Sequence, residues 1–126
     1  MMKEFIRFVW RDDHYWAKDT KGETIDLLAL FLLTDVDSFG IYFVIECAEE
    51  SDGVDTHGDA TFIETHNGIM TVGDLLDRDD PTVSTFSLPC EQFRNLLIAW
   101  EAAVKLKPKE IIITKDGDKV TLETRD

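Results

Sequence analysis

Few residues in this chain stand where their side chains could do covalent or metal chemistry. Cys90 follows Pro89 at the expected start of a helix, where the helix dipole would lower a thiol pKa. A base would then have to come from His14, His57 or His66, and no local signature pairs any of them with the cysteine. Asp35, Asp37, Gly40 and Glu46 occupy the first, third, sixth and twelfth places of a calcium-loop pattern. The fifth place is Phe39, which offers no side-chain oxygen, so the match reads as a coincidence in an acid-rich chain. The run Asp52-Gly53-Val54-Asp55-Thr56-His57-Gly58-Asp59, with His66 close by, could offer carboxylates and imidazoles to zinc or manganese. A solvated acidic loop accounts for the same residues equally well. The sequence holds no glycine-rich phosphate cradle, no nucleophile elbow and no zinc-protease helix. The expectation is a protein with no catalytic residues, no metal and no cofactor. Cys47 and Cys90 fit no metal or disulfide-framework spacing and are expected as reduced, buried thiols.

The stronger signal is electrostatic. The chain of 126 residues carries a net charge of −13, and the charge is uneven. Between residues 46 and 80 stand eleven acids, Glu46, Glu49, Glu50, Asp52, Asp55, Asp59, Glu64, Asp74, Asp77, Asp79 and Asp80, against one base, Arg78. Solubility alone would be served by mixed signs at less self-repulsion. A cationic partner explains the asymmetry better, because facing carboxylates steer its approach and pair with its arginines and lysines. These eleven residues are therefore the expected partner-binding set. Nucleic acid is an unsuitable partner: phosphate contacts need several bases on one surface, and residues 22–93 contain a single one.

Elements to position such a face can be read from the pattern. The length suits one domain, residues 1–126, able to bury roughly two-thirds of its unfolded surface without staples. The start of the chain has scattered charges and no apolar core of a leader, and the most apolar run, residues 25–33, is too short to cross a membrane. Residues 3–11 and 14–17 read as strands around Asp12-Asp13. Residues 23–33 suit a buried helix or a central strand, with the following strand-like run tipping the reading to strand; residues 39–48 read as a buried strand. Residues 49–58 read as a loop. Residues 60–66 and 69–72 form a hairpin about Asn67-Gly68, residues 74–78 a short helical turn, and residues 82–87 a further strand. Phe93, Leu96, Leu97, Trp100 and Val104 recur at helical spacing behind Pro89, predicting one main helix over about 89–106. Pro108 ends it, and residues 110–123 form a last hairpin about Asp116-Gly117. The sum is an α+β fold, a mostly antiparallel sheet with one C-terminal helix packed on it and a C-terminal β-hairpin.

A short acidic chain of strands with one late helix, Pro89 to Lys105, and a final hairpin resembles bacterial immunity proteins, those encoded beside contact-dependent growth inhibition and polymorphic toxin systems. Size, charge and layout over the whole chain carry the likeness. The resemblance implies a cytoplasmic protein that is not an enzyme. It would bind a basic toxin domain, a nuclease, and occlude its active site, with Tyr15 or Trp16 as aromatic anchors. Two other readings stay open on the sequence: an acidic regulatory module for a cellular basic protein, and a small metal-dependent enzyme using His57, His66 and nearby acids.

Overall fold

The computed structural model describes residues 3–126; Met1 and Met2, at the head of the N-terminal stretch read above, lie outside it. The chain begins with strands β1 (Glu4–Arg11) and β2 (His14–Lys21), joined by Asp12 and Asp13, both at positive φ as a two-residue hairpin turn requires. A helical rod follows: α1 (Ile25–Leu30), a π turn (Phe31–Asp35) and α2 (Val36–Phe39). Gly40, at φ 86°, bends the chain by 109° into α3 (Ile41–Glu49). Then come β3 (Asp55–His57), β4 (Thr61–His66) and β5 (Ile69–Asp74), a single 3-10 turn (Leu75–Asp77), and β6 (Phe86–Pro89). The chain closes with α4 (Cys90–Leu106), β7 (Glu110–Asp116) and β8 (Lys119–Arg125).

The strands form two four-stranded antiparallel sheets. Sheet A has the order β2-β1-β7-β8 and draws on both ends of the chain; sheet B has the order β3-β4-β5-β6 and draws on the middle. One buried cluster spans both. Ile6, Phe8, Ile111 and Ile113 enter it from sheet A, Ile63, Met70, Val72, Phe86 and Leu88 from sheet B. Phe93, Leu96, Leu97 and Trp100 of α4 lie between them, with the Trp100 ring 4.8 Å from that of Phe8 and the Phe93 ring 5.8 Å from that of Phe86. The α+β class, the C-terminal helix and the final hairpin are as expected from the sequence. No single helix among the described residues is long and apolar enough to cross a membrane.

Four segments differ from expectation. Residues 25–39 and 41–49 are helical, not strands, and supply a second helical layer. Ile25, Leu28, Ala29 and Leu32 are buried at spacings of three and four, as are Val44, Cys47 and Ala48, while Tyr42, Phe43, Glu46 and Glu49 face solvent. That period belongs to a helix with one buried face, and packing against α4 overrides the β propensity of Ile41-Tyr42-Phe43-Val44-Ile45. The strand expected over 82–87 begins only at Phe86; residues 82–85 are exposed and unpaired, with the Thr85 methyl close to Gly73. The expected loop 49–58 contains the short edge strand β3.

Asp35 ties the rod to sheet B. Its side chain is fully buried, and its carboxylate accepts the backbone N–H of Asp59 (2.9 Å), Ala60 (3.3 Å) and Thr61 (2.7 Å) as well as the Thr61 hydroxyl. Backbone donors thus replace the water that a buried carboxylate would otherwise need. The approach is so close that a β-carbon at Gly58 would overlap the carboxylate. Asp35→Ala is expected to cost at least about 3 kcal/mol, since it strands several buried donors. Gly58→Ala should cost about 1–3 kcal/mol by steric overlap. Urea denaturation should show both as lower midpoints at unchanged slope.

Candidate partner-binding surface

All eleven expected acids lie on sheet B or on the segments entering and leaving it. Ten are exposed, and Asp74 is half-buried. They form a band along the strands of sheet B, not one compact cluster. At the hairpin end stand Glu46 and Glu49 on α3, then Glu50 and Asp52; Asp52 accepts the Asn67 backbone N–H at 3.2 Å, and Ser51 accepts that of Gly68. Midway, Asp55 on edge strand β3 faces Glu64 on β4. At the far end Asp59 neighbours the start of the 3-10 turn, because the Ala60 carbonyl accepts Leu75 N–H; Asp74 and Asp77 lie there, followed by Asp79 and Asp80. The six residues of β4 between these ends span about 16–20 Å.

Arg78, the lone base of this stretch, is used within the fold. Its guanidinium lies 5.6 Å from the centre of the Phe62 ring, which Gly73 leaves room for, and pairs with Asp55 and, at 4.0 Å, with Glu64. The row Asp55, Glu64, Thr71 and Ser87 runs across the outer face of the sheet, closed by a 2.9 Å hydroxyl hydrogen bond between Thr71 and Ser87. Beyond Arg78, the eleven acids form ion pairs with only two residues among those described: Glu49 with Arg94 at 3.4 Å and Asp52 with His66 at 3.2 Å. Glu46 and Glu49 occupy the last turn of α3, with Glu50 as its C-cap, and no base stands there. Carboxylates at a helix C-terminus oppose the dipole, so their positions are unfavourable for the isolated fold.

Charge is segregated by sheet. Residues 3–21 and 107–126, which make sheet A and its flanks, hold ten bases and nine acids, a net charge of +1. Residues 22–106 hold three bases and seventeen acids, a net charge of −14. None of the ten sheet A bases forms an ion pair with any of the eleven acids among the described residues.

Other candidates resolve differently. The calcium pattern does not converge: Asp35 is spent on backbone donors, Asp37 is exposed on α2, Gly40 makes the bend and Glu46 sits on α3. His57 Nδ1 lies 3.0 Å from the Gly58 carbonyl and His66 beside Asp52. Among the described residues no group of three His, Cys, Asp or Glu side chains is arranged to hold a metal ion. Cys47 and Cys90 are free and buried. Burial pushes the Cys90 thiol pKa up, opposite to the lowering expected from a helix N-terminus. Tyr15 is buried, not an exposed anchor: its hydroxyl donates to the Pro108 carbonyl at 2.6 Å. Trp16 is exposed, on β2 of sheet A, its indole N–H donating to Arg11 O at 2.9 Å. The sequence reading missed Leu76, which is 94% exposed amid Asp74, Asp77, Asp79 and Asp80, and the exposed rings of Tyr42 and Phe43, hidden by the strand reading of residues 39–48. An apolar residue inside an acid-only run was the available signal for Leu76.

No protein-family model, no curated protein and no solved structure matches this chain.

Burial also raises the Tyr15 pKa, with the Asp126 carboxylate adding to it. The fold therefore favours the neutral phenol. Its contribution to stability is complete below the unfolded phenol's pKa of about 10 and is lost as pH rises through the folded value. Tyr15→Phe should cost about 1 kcal/mol at neutral pH and flatten the alkaline loss of stability. A stability series from pH 8 to 11.5 checks both. An unreactive native Cys90, labelled by a thiol reagent only on unfolding, is the parallel expectation.

Proposed function

We propose that this chain is a cytoplasmic immunity protein: it binds a basic toxin domain, a nuclease, and neutralises it by occlusion without turnover. The observation that carries the reading is the division of charge, −14 on the part built around sheet B against +1 on the part built around sheet A. A nuclease groove that grips phosphates presents arginines and lysines. A band of carboxylates about as long as a strand can enter such a groove in their place. Glu46 and Glu50 at the end of α3, which have no ion pair among the described residues, support this, since a cation brought by the partner would relieve them. Leu76 gives the band an apolar contact to bury among its acids. The likeness in size and layout to immunity proteins of polymorphic toxin systems supports the class of partner. Nothing on the surface favours the metal-enzyme reading; a cellular basic protein as partner would use the same band.

The test is association with the basic toxin domain encoded beside this chain's gene, followed by stopped flow. The triple variant Glu50→Lys, Asp59→Lys and Asp77→Lys should slow association by about 10- to 100-fold at low salt. An equal charge change on sheet A, Asp118→Lys, Glu123→Lys and Asp126→Lys, should change it far less. Equal slowing by the two triples, or full neutralisation of the toxin by the band variant, contradicts the reading.

A further inference from the structure

A groove of about 640 Å³ opens where the β1–β2 hairpin, the helical rod, α3 and α4 meet. Tyr15 and Trp100, both nearly fully buried, lie at its base, and Trp10, Leu33, Ile41 and Val104 line its walls. The volume falls within the range of ligand-binding clefts, roughly 300–1,000 Å³. Its rim carries Asp13, Asp37, Glu101 and Lys105. Lys105 is matched by Glu101 at 3.0 Å, whereas Asp13 and Asp37 have no ion pair among the described residues. The result is an apolar, aromatic well with two free carboxylates at its edge. Such a site takes an aliphatic or aromatic group joined to a cation.

Two features outside the well favour an occupant that extends beyond it. Tyr42 is 69% exposed, and the exposed Phe43 ring lies 5.1 Å from that of Phe39. A small molecule seated in the well would leave both rings bare. In addition, α3 runs from the groove at Ile41 to the acidic band at Glu49, and its solvent face presents Tyr42, Glu46 and Glu49 in turn. The groove, the exposed rings and the band are therefore linked along one helix. Aromatic residues beside a largely apolar groove, with charges at its edge, have the composition of an interface centre.

We infer that this groove is the anchor pocket for the protein partner. It seats an apolar side chain of an amphipathic basic segment, whose lysine or arginine reaches Asp13 and Asp37. The inference rests on the reading of a basic protein partner and adds the place where that partner is gripped. The probe is a synthetic helical peptide with one leucine face and one lysine face, titrated into the ¹⁵N-labelled chain. Expected are 1:1 binding, with shifts of the Trp10 and Trp100 indole N–H signals and of the Gly40 and Ile41 amides. Affinity should fall at least tenfold when the lysines are acetylated, and at least tenfold in Val104→Trp, which fills the groove. Asp37→Lys, an exposed change that leaves the core intact, should weaken binding likewise and guards against a Val104→Trp variant that fails to fold. No binding, or affinity unmoved by Asp37→Lys, overturns the inference. So do shifts confined to the Glu46–Asp80 band, an outcome that leaves the basic-partner reading standing and removes only the groove.

Discussion

The buried carboxylate of Asp35 is the constraint on which the layout of this protein depends. It sits in a π turn, where the local change of helical pitch lets Leu33 line the groove on one side while Asp35 reaches sheet B on the other. Its partners are backbone amides of the loop between β3 and β4, so the bond fixes main chain, not a replaceable side chain. That loop carries Asp59 and, through the Ala60 carbonyl, holds the start of the turn that bears Asp77. A charge hidden in the core thus positions charges displayed on the surface. The tight fit against Gly58 shows how little slack the arrangement has.

The surface charges themselves are arranged against the interest of the free protein. Like charges along a strand edge and at a helix C-terminus repel one another and oppose the dipole. Arg78 relieves only the middle of the band, where it lies over Phe62 between Asp55 and Glu64. Sheet A, assembled from the two ends of the chain, carries nearly balanced charge and keeps its ion pairs to itself, as with Arg7 between Asp19 and Glu110. The same fold thus balances charge on one sheet and leaves it unbalanced on the other, the asymmetry on which the proposed partner binding rests. Screening sets its reach: at physiological ionic strength the Debye length is about 8 Å, so neighbouring acids in the band act together while its two ends act nearly independently.

Local signals and long-range ones differ in how far the sequence reveals them. Asn67-Gly68 and the Phe93–Val104 spacing announce a hairpin and a helix because turn chemistry and period are local properties. The helix at 41–49 is masked because Ile-Tyr-Phe-Val-Ile carries strong strand propensity, and its helical state comes from packing against α4. With it were hidden the groove, whose walls come from elements as far apart in sequence as the β1–β2 hairpin and α4, and the exposed face of Tyr42. The acids of the band were legible from composition. Their division from the bases was only half legible, because it required knowing that the two chain ends pair into one sheet. Asp35 illustrates the same limit: in sequence it resembles a metal ligand, and only the approach of Gly58 to Thr61 reveals its role.

Hydrogen exchange measured by mass spectrometry, with and without the toxin domain, tests the central claim most directly. Amides of residues 49–66 and 74–80 are expected to slow on binding, while those of β7 and β8 keep their free rates. Protection centred on sheet A, with the acidic band unchanged, would contradict the account.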